Sequence, residues 1–507
     1  MGEIYSKCQR VLIWLGQEVH DYESMSYYFE SASFAGTRLQ KFASSSSSDR
    51  HVSASQNEII FEVARQQSFV RSLLSLPWFS RAWVVQEAVL PAEAICFLGS
   101  FTFSIDELWA IIRGFRSSDD RILSENYIGL RQLQGYLVLS EIMRLRDQKR
   151  AGGESANEET SCFYHSLSLF APHCRTSTRH DIIYAFLGLQ TDRRVRILPD
   201  YNLDWNEVPL LVTRSIIEAS ESLDLLGVVH RRDDDKSRWS NLPSWVPDWS
   251  RRLKAEAMVF PKSSMYFNSS SGRRHNPKRF GGTASSSLVI SGKTIGEISH
   301  KLAFTKVIRE PTTSRHQWPV HSYLNISHMT ELLAEFWPQQ HTPPTREFVL
   351  KTCLADGSFA FNRTPSLQRR EGLSASAIQG LLKTYDALDN LSAQQKNESS
   401  KSSKSSIERA TKLRDHARIA WGRQLIIGCE WRLGLAHDAV NEGDLVCIVH
   451  GSKVPLVLRR LPSGYYRFMG QCYLEGAMRG EEVNWDEVDA DEFVLVQTAL
   501  FAVYVKR

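Results

Sequence analysis

A chain of 507 residues is too long for one compact core and calls for two or three domains. With 42% hydrophobic and 23% charged residues it has the composition of a globular protein, and a net charge of +4 at this length excludes general polyanion binding. Eight cysteines without a CxxC pair, no signal-type leader and no apolar run of about 18 residues imply reduced thiols in an intracellular, cytoplasmic protein that does not span a membrane.

Met1-Gly2-Glu3-Ile4-Tyr5-Ser6 has the form of a myristoylation site, with Ser6 at the required distance from Gly2. Arg10 to Leu15 alternates little and stops at Gly16, as expected of a strand buried on both faces of a parallel sheet. Helices are expected from His20 to Phe34 and from Asn57 to Leu74, with a serine-rich loop, Ser44 to Ser55, between them. Pro77 suits a first helical turn, since its missing N–H would have no partner there. From Pro77 the spacing predicts one helix with Phe79, Trp83 and Glu87 on a single face. A carboxylate that continues an aromatic stripe is costly to bury in ionised form. Glu87 is therefore either tied to a backbone N–H or an arginine in the core, or a functional acid facing a pocket.

Ala94 to Leu98 reads as a strand ended by Gly99, and Ser104 with Glu107 forms a capping box for a helix carrying Leu108, Trp109, Ile111 and Ile112. Leu130 to Leu145 is a further amphipathic helix, and Ala151 to Thr160 a polar break. Cys162, His165, His173, Cys174 and His180 raise the question of zinc, but their spacing fits no ligand pattern and no metal is assigned. Asp181, with Arg179 and Tyr184 nearby, is expected to orient a helix from Ile182 to Leu189. Trp245 and Trp249, separated by prolines, read as an extended strap on the core.

Residues 262–287 form a Ser/Gly/Arg-rich connector, solvated and not a nucleic-acid patch. Leu288 to Ile295 begins a strand pair, His328 to Leu391 reads as mostly helical, and Ser399 to Ser406 is Lys/Ser-only. After Trp421 short strands separated by Gly and Pro turns make a small barrel-like module, with Asp444 as a turn residue and Glu481 at a surface or turn. Phe493 to Val505 reads as strands.

Pro77-Trp78-Phe79-Ser80-Arg81-Ala82-Trp83-Val84-Val85-Gln86-Glu87 resembles the signature PWF-x-R-x-W-V-x-Q-E of the fungal heterokaryon incompatibility (HET) domain. Met1 to Tyr5 with Arg10 to Gly16, then Arg179 to Leu189 (RHDIIYAFLGL), Pro199-Asp200-Tyr201 and Leu242 to Trp249 (LPSWVPDW) resemble further family segments in the same order. Gly434 to Glu481 is similar to the family's C-terminal pattern. The resemblance makes Met1 an ordinary internal residue of the domain and implies that its opening strand and helix are absent here. An exposed edge or apolar face near Val11 to Trp14 would follow.

HET domains are thought to be distant relatives of the Toll/interleukin-1 receptor (TIR) fold, so the resemblance implies an α/β architecture. A partial TIR-like, flavodoxin-like parallel sheet with helices would be followed by a mostly helical region and the β module. The expected divisions are 1–150, a helical extension over 151–261, a connector and variable helical region over 262–420, and the β module over 421–507. The implied function is self/non-self recognition linked to programmed cell death, through a protein partner or self-association. Enzymatic TIR domains cleave NAD with a glutamate on a Trp-bearing helix, and Trp83 with Glu87 is similar to that pattern. By this analogy Glu87 would be catalytic, Trp83 and Arg81 would bind ligand, and NAD would be a substrate with no resident cofactor. An inactive product is the remaining alternative.

Overall fold

The computed structural model describes residues 2–16, 68, 70–99, 101–116, 133–150, 163–189, 194–229, 242–251, 257–259, 267–276, 286–304, 324–356, 358–360, 368–370, 373–395 and 417–496. The elements expected over 20–34, 44–55, most of 57–74, 151–160 and 399–406, and the strand expected beyond Val496, lie outside them. The chain divides into two compact units, Met1–Arg193 with Trp249–Arg252, and Arg194–Asp248 with Leu253–Arg507. In composition it is mixed α/β.

In the first unit, helix α1 (Gly2–Lys7) precedes strand β1 (Arg10–Gly16). Strand β1 runs parallel to β2 (Glu93–Leu98), with Leu12 opposite Ile95 and Trp14 opposite Phe97. Strand β3 (Phe101–Ser104) returns antiparallel to β2, giving the order β1-β2-β3. The parallel pairing is as expected, but burial of β1 on both faces is not. Ile13 and Leu15 face the core, while Leu12 and Trp14 are 65% and 57% exposed on the face they share with half-buried Ile95 and Phe97. Strand side chains alternate between faces, and among the described residues only one face of this sheet is covered.

That covered face packs on helices. Helix α2 (Val84–Val89) supplies Val84, Val85 and Ala88 to the core, and α3 (Ile105–Arg116) supplies Leu108, Trp109 and Ile112. The capping box forms as expected: the Ser104 N–H donates to Glu107 Oε2 at 2.6 Å, and the Glu107 N–H donates to Ser104 Oγ at 3.1 Å. Helix α4 (Gln134–Arg150) buries Val138, Leu139, Ile142 and Met143. Helix α5 (Phe163–Phe170) contributes Phe170, whose ring stacks on Phe186 with centroids 5.6 Å apart. The helix expected over Ile182 to Leu189 is shorter: α6 (Asp181–Tyr184) gives way to a 3₁₀ turn at Leu187–Leu189.

The second unit begins with α7 (Glu207–Ser220), and its sheet draws on residues well before Trp421. Strands β4 (Leu288–Glu297) and β5 (His300–Ala303) precede the helical region, which comprises α8 (Ile326–Phe336), α9 (Arg346–Cys353) and α10 (Ala375–Gln395). The hairpin β6 (Ser358–Ala360) and β7 (Gln368–Arg370) interrupts that region. Asn325 and Thr345 cap α8 and α9, each side-chain oxygen accepting a backbone N–H of the first turn. Six strands follow: β8 (Arg423–Ile427), β9 (Leu433–His437), β10 (Leu445–Val449), β11 (Leu456–Arg460), β12 (Tyr466–Leu474) and β13 (Asp491–Leu495).

Eight strands form one sheet in the order β11-β10-β4-β13-β12-β9-β8-β5. Strand β11 also pairs with β12, so five of them close a ring from which β9, β8 and β5 extend. Alternation divides the extension between two cores. Leu425 and Ile427 of β8 join the core built with Met329, Leu333, Val349 and Tyr385, whereas Ile426 joins Val446, Ile448, Val457 and Met469. Trp245 is fully buried in the second unit and donates its Nε1–H to the Ser286 carbonyl at 3.2 Å, and Trp249 is buried in the first. Among the described residues no helix is long and apolar enough to cross a membrane.

Candidate functional site

The stretch from Pro77 to Glu87 is not one helix. Pro77–Ser80 forms a 3₁₀ turn, Arg81 is extended (φ −86°, ψ 139°), and α2 starts only at Val84. The cause lies across the chain. The Ala82 N–H donates to the Arg175 carbonyl at 3.2 Å and the Arg175 N–H to the Ser80 carbonyl at 2.5 Å, a short β-bridge that takes the place of helical bonds. Phe79 therefore drops out of the expected stripe and lies in the core, 1% exposed. Trp83 and Glu87 remain one helical turn apart, with the Glu87 N–H donating to the Trp83 carbonyl at 3.4 Å.

Glu87 and Trp83 are half-buried and Arg81 is exposed. The Tyr5 hydroxyl lies close enough to the Glu87 carboxylate to feel its charge. Burial, then the Glu87 carboxylate, push the Tyr5 phenol above its ordinary value, and the Arg81 guanidinium pulls it back. Glu87 is thus neither sunk in hydrocarbon nor clasped by an arginine alone. A half-buried carboxylate beside a phenol can accept a hydrogen bond from a ligand hydroxyl or face a developing positive charge. The structure brings Arg81 and Glu87 to one phenol and keeps Trp83 directly below on the same helix face. Tyr5 is the member that residue-type reasoning missed, because its partner lies 82 positions along the chain.

The neighbouring residue organises the unit. Gln86 is 1% exposed, and its Nε2 donates to the Ala185 carbonyl at 2.6 Å. A Cβ on Gly188 would lie 2.3 Å from Gln86 Oε1, and one on Gly2 would lie 2.8 Å from the Gly188 Cα. Three separate motif segments, around Gly2, Gln86 and Gly188, therefore meet at one carboxamide. Gly2 has a packing reason of its own to be glycine, unconnected with acylation.

Arg146 fixes the far end of α2. It is 2% exposed, and its guanidinium donates to the carbonyls of Ala88 at 2.5 Å, Pro91 at 3.3 Å and Ala92 at 3.0 Å. Ala88 lies in the last turn of α2, where a helix leaves its carbonyls unpaired, and Pro91 and Ala92 lie in the segment that follows Leu90. Asp106 completes the arrangement, 3.1 Å from Arg146 and 2.8 Å from Arg150. Burial alone would raise the Asp106 pKa, but the hydrogen bond from Arg150 and the charges of both arginines hold it below its ordinary value.

In the second unit Asp444 is more than a turn residue. It is 2% exposed, and its carboxylate accepts from Arg459 Nε at 2.7 Å and Nη2 at 2.9 Å. Glu481 sits in a surface turn, accepting the Arg479 N–H at 2.6 Å. Cys162 and the His165 side chain lie outside the described residues, and burial pushes the Cys174 thiol up to about 12. Among the described residues no three His, Cys, Asp or Glu side chains converge in a way that would hold a metal ion.

Residues 1–87 match the family model "Heterokaryon incompatibility protein (HET)", and residues 368–496 match "Het-6 beta-barrel domain". The chain is 23% identical over 557 aligned residues to "Heterokaryon incompatibility protein 6, OR allele" of Neurospora crassa, covering 98% of this chain and 80% of that protein. No solved structure matches it.

Proposed function

We propose, from the premise that this chain belongs to the heterokaryon incompatibility (HET) family, that it acts in fungal self/non-self recognition and triggers programmed cell death by engaging a protein partner or by self-assembly in the cytoplasm. The observation that carries this reading is the order of the two matches: a HET segment at the start and a Het-6 barrel toward the end of one chain. The relative that aligns along 98% of this chain is itself named for heterokaryon incompatibility. We take the first unit, with its parallel β1–β2 pair and packed helices, as a variant of the TIR-like layout.

The test is expression of the chain in a fungal strain that lacks it, followed by hyphal fusion with a panel of genetically distinct strains. Death of fusion cells with some partners and not others is expected. Uniform compatibility with every partner overturns the proposal.

A second reading, NAD cleavage through Glu87, is favoured by the half-buried carboxylate beside the Tyr5 hydroxyl with Trp83 one turn below. The carboxylate would stabilise oxocarbenium-like charge on the ribose, Trp83 would stack on the leaving ring, and Arg81 would bind the nucleotide. Purified protein that consumes NAD, and a Glu87→Gln variant that does not, would support it. Killing by Glu87→Gln with cellular NAD intact would remove it.

A further inference from the structure

We propose that the second unit carries a binding site for a small phosphate monoester, in the cleft between the end of its barrel and the segment that crosses it. The cleft has a volume of about 300 Å³ and is lined by Arg274, His275, Asn276, Ser291, His450 and Glu492, with Ala490 as its apolar member. That volume is at the small end of the range for ligand pockets.

The walls are held by backbone. The His275 N–H donates to the Glu221 carbonyl at 2.9 Å, the Gly451 N–H to the Arg273 carbonyl at 2.7 Å, and the His450 N–H to the Ser291 carbonyl at 2.8 Å. Gly451 sits at φ +83°, and a Cβ there would lie 2.7 Å from the His275 Cβ, so the crossing segment seats this closely only on glycine. The His450 ring meets Trp485 edge-on with centroids 4.4 Å apart, which fixes the imidazole. Arg274 is the exposed member of the lining, its side chain 80% exposed and 3.1 Å from Glu221, while His275 is buried, 3% exposed.

The lining is rich in donors. A guanidinium, two imidazoles, a carboxamide and a hydroxyl come from three separate strands and loops, against one carboxylate. Donors converging from several directions suit a tetrahedral oxyanion better than a planar carboxylate, which an arginine fork satisfies alone. Glu492 then serves as acceptor for a hydroxyl on the organic part of the ligand. The site lies apart from the Glu87 region in sequence and does not depend on the proposed recognition function.

Calorimetric titration of the full chain tests this, with ribose 5-phosphate, inorganic phosphate, ribose and succinate as separate probes. Saturable binding is expected for ribose 5-phosphate, weaker binding for inorganic phosphate, and none for ribose or succinate. Arg274→Gln and His450→Gln should each weaken ribose 5-phosphate about tenfold or more, the loss of one charge-assisted hydrogen bond. Arg274 is exposed enough for its variant to keep the thermal midpoint. Absence of saturable binding by either phosphate compound, equal binding of succinate, or undiminished affinity in both variants overturns the proposal.

Discussion

Gln86 Nε2 and the Ala185 carbonyl lie 2.6 Å apart, although 99 positions separate the two residues in the chain. This hydrogen bond joins the PWFSRAWVVQE and IIYAFLGL segments in an interior where Gln86 is 1% exposed. Replacing Gln86 by Leu orphans the Ala185 carbonyl and should cost about 1–3 kcal/mol. Gly188→Ala should cost a similar ~1–3 kcal/mol through overpacking. Because both act at one contact, a Gln86→Ala background should relieve part of the Gly188→Ala penalty, a coupling that urea denaturation of the single and double variants would measure.

Arg146 donates to one carbonyl in the last turn of α2 and to two in the segment just beyond it. Arg146→Met should destabilise by about 2–4 kcal/mol, mostly from those orphaned acceptors. Asp106 contributes little to the loss, since its side chain is 33% exposed and it retains Arg150. Hydrogen exchange should quicken first at the amides of Val84–Val89, carrying Trp83 and Glu87 out of position.

Acid should weaken the same region. The folded-state pKa of Asp106 lies below its ordinary value, so the unfolded chain binds the extra proton first as pH falls. Its stabilisation is present above the ordinary carboxylate range, near pH 4, and is lost as pH drops through the folded value. Asp106→Asn should flatten the dependence of stability on pH below about pH 4 while leaving the slope at neutral pH unchanged, as denaturant titrations at stepped pH would show.

The Asp444–Arg459 pair should be the most sensitive single contact of the barrel. Arg459→Met leaves a carboxylate whose side chain is 3% exposed without its cation. A cost of about 3–5 kcal/mol is expected, with partial recovery in Asp444→Asn/Arg459→Met. Thermal denaturation of the three variants measures both.

Glu87→Gln keeps the shape of the site and removes a negative charge from beside Tyr5. The Tyr5 phenol should titrate at lower pH than in the wild-type chain, while staying above its ordinary value because burial remains. Carbon-13 labelling of tyrosine with assignment by Tyr5→Phe would report it, and an unmoved titration would place the Glu87 carboxylate elsewhere.

Much of the local order was legible in the residues alone. Ser104 and Glu107 announce a helix start because a capping box uses only local bonds. Strand β2 ends at Gly99, at φ +58°, because little but glycine turns there readily. The short strands after Trp421 were readable from Gly and Pro turns, and the ordered motifs pointed to the family whose models match residues 1–87 and 368–496. Periodicity misled where distant backbone intervened, as when the Arg175 bridge broke the helix predicted from Pro77.

The sequence by itself determined local starts and stops, such as the capping box at Ser104 and the turn at Gly99, and which motifs the chain carries, because those depend on neighbours a few residues away. Only the tertiary structure decided that Gln86 would bind Ala185, Arg146 would close α2, Tyr5 would lie beside Glu87 and Asp444 would pair with Arg459. Each of these polar groups is stable in its interior or half-buried place only with a partner, and the partner is supplied by chain closure over tens of residues, which no local pattern records.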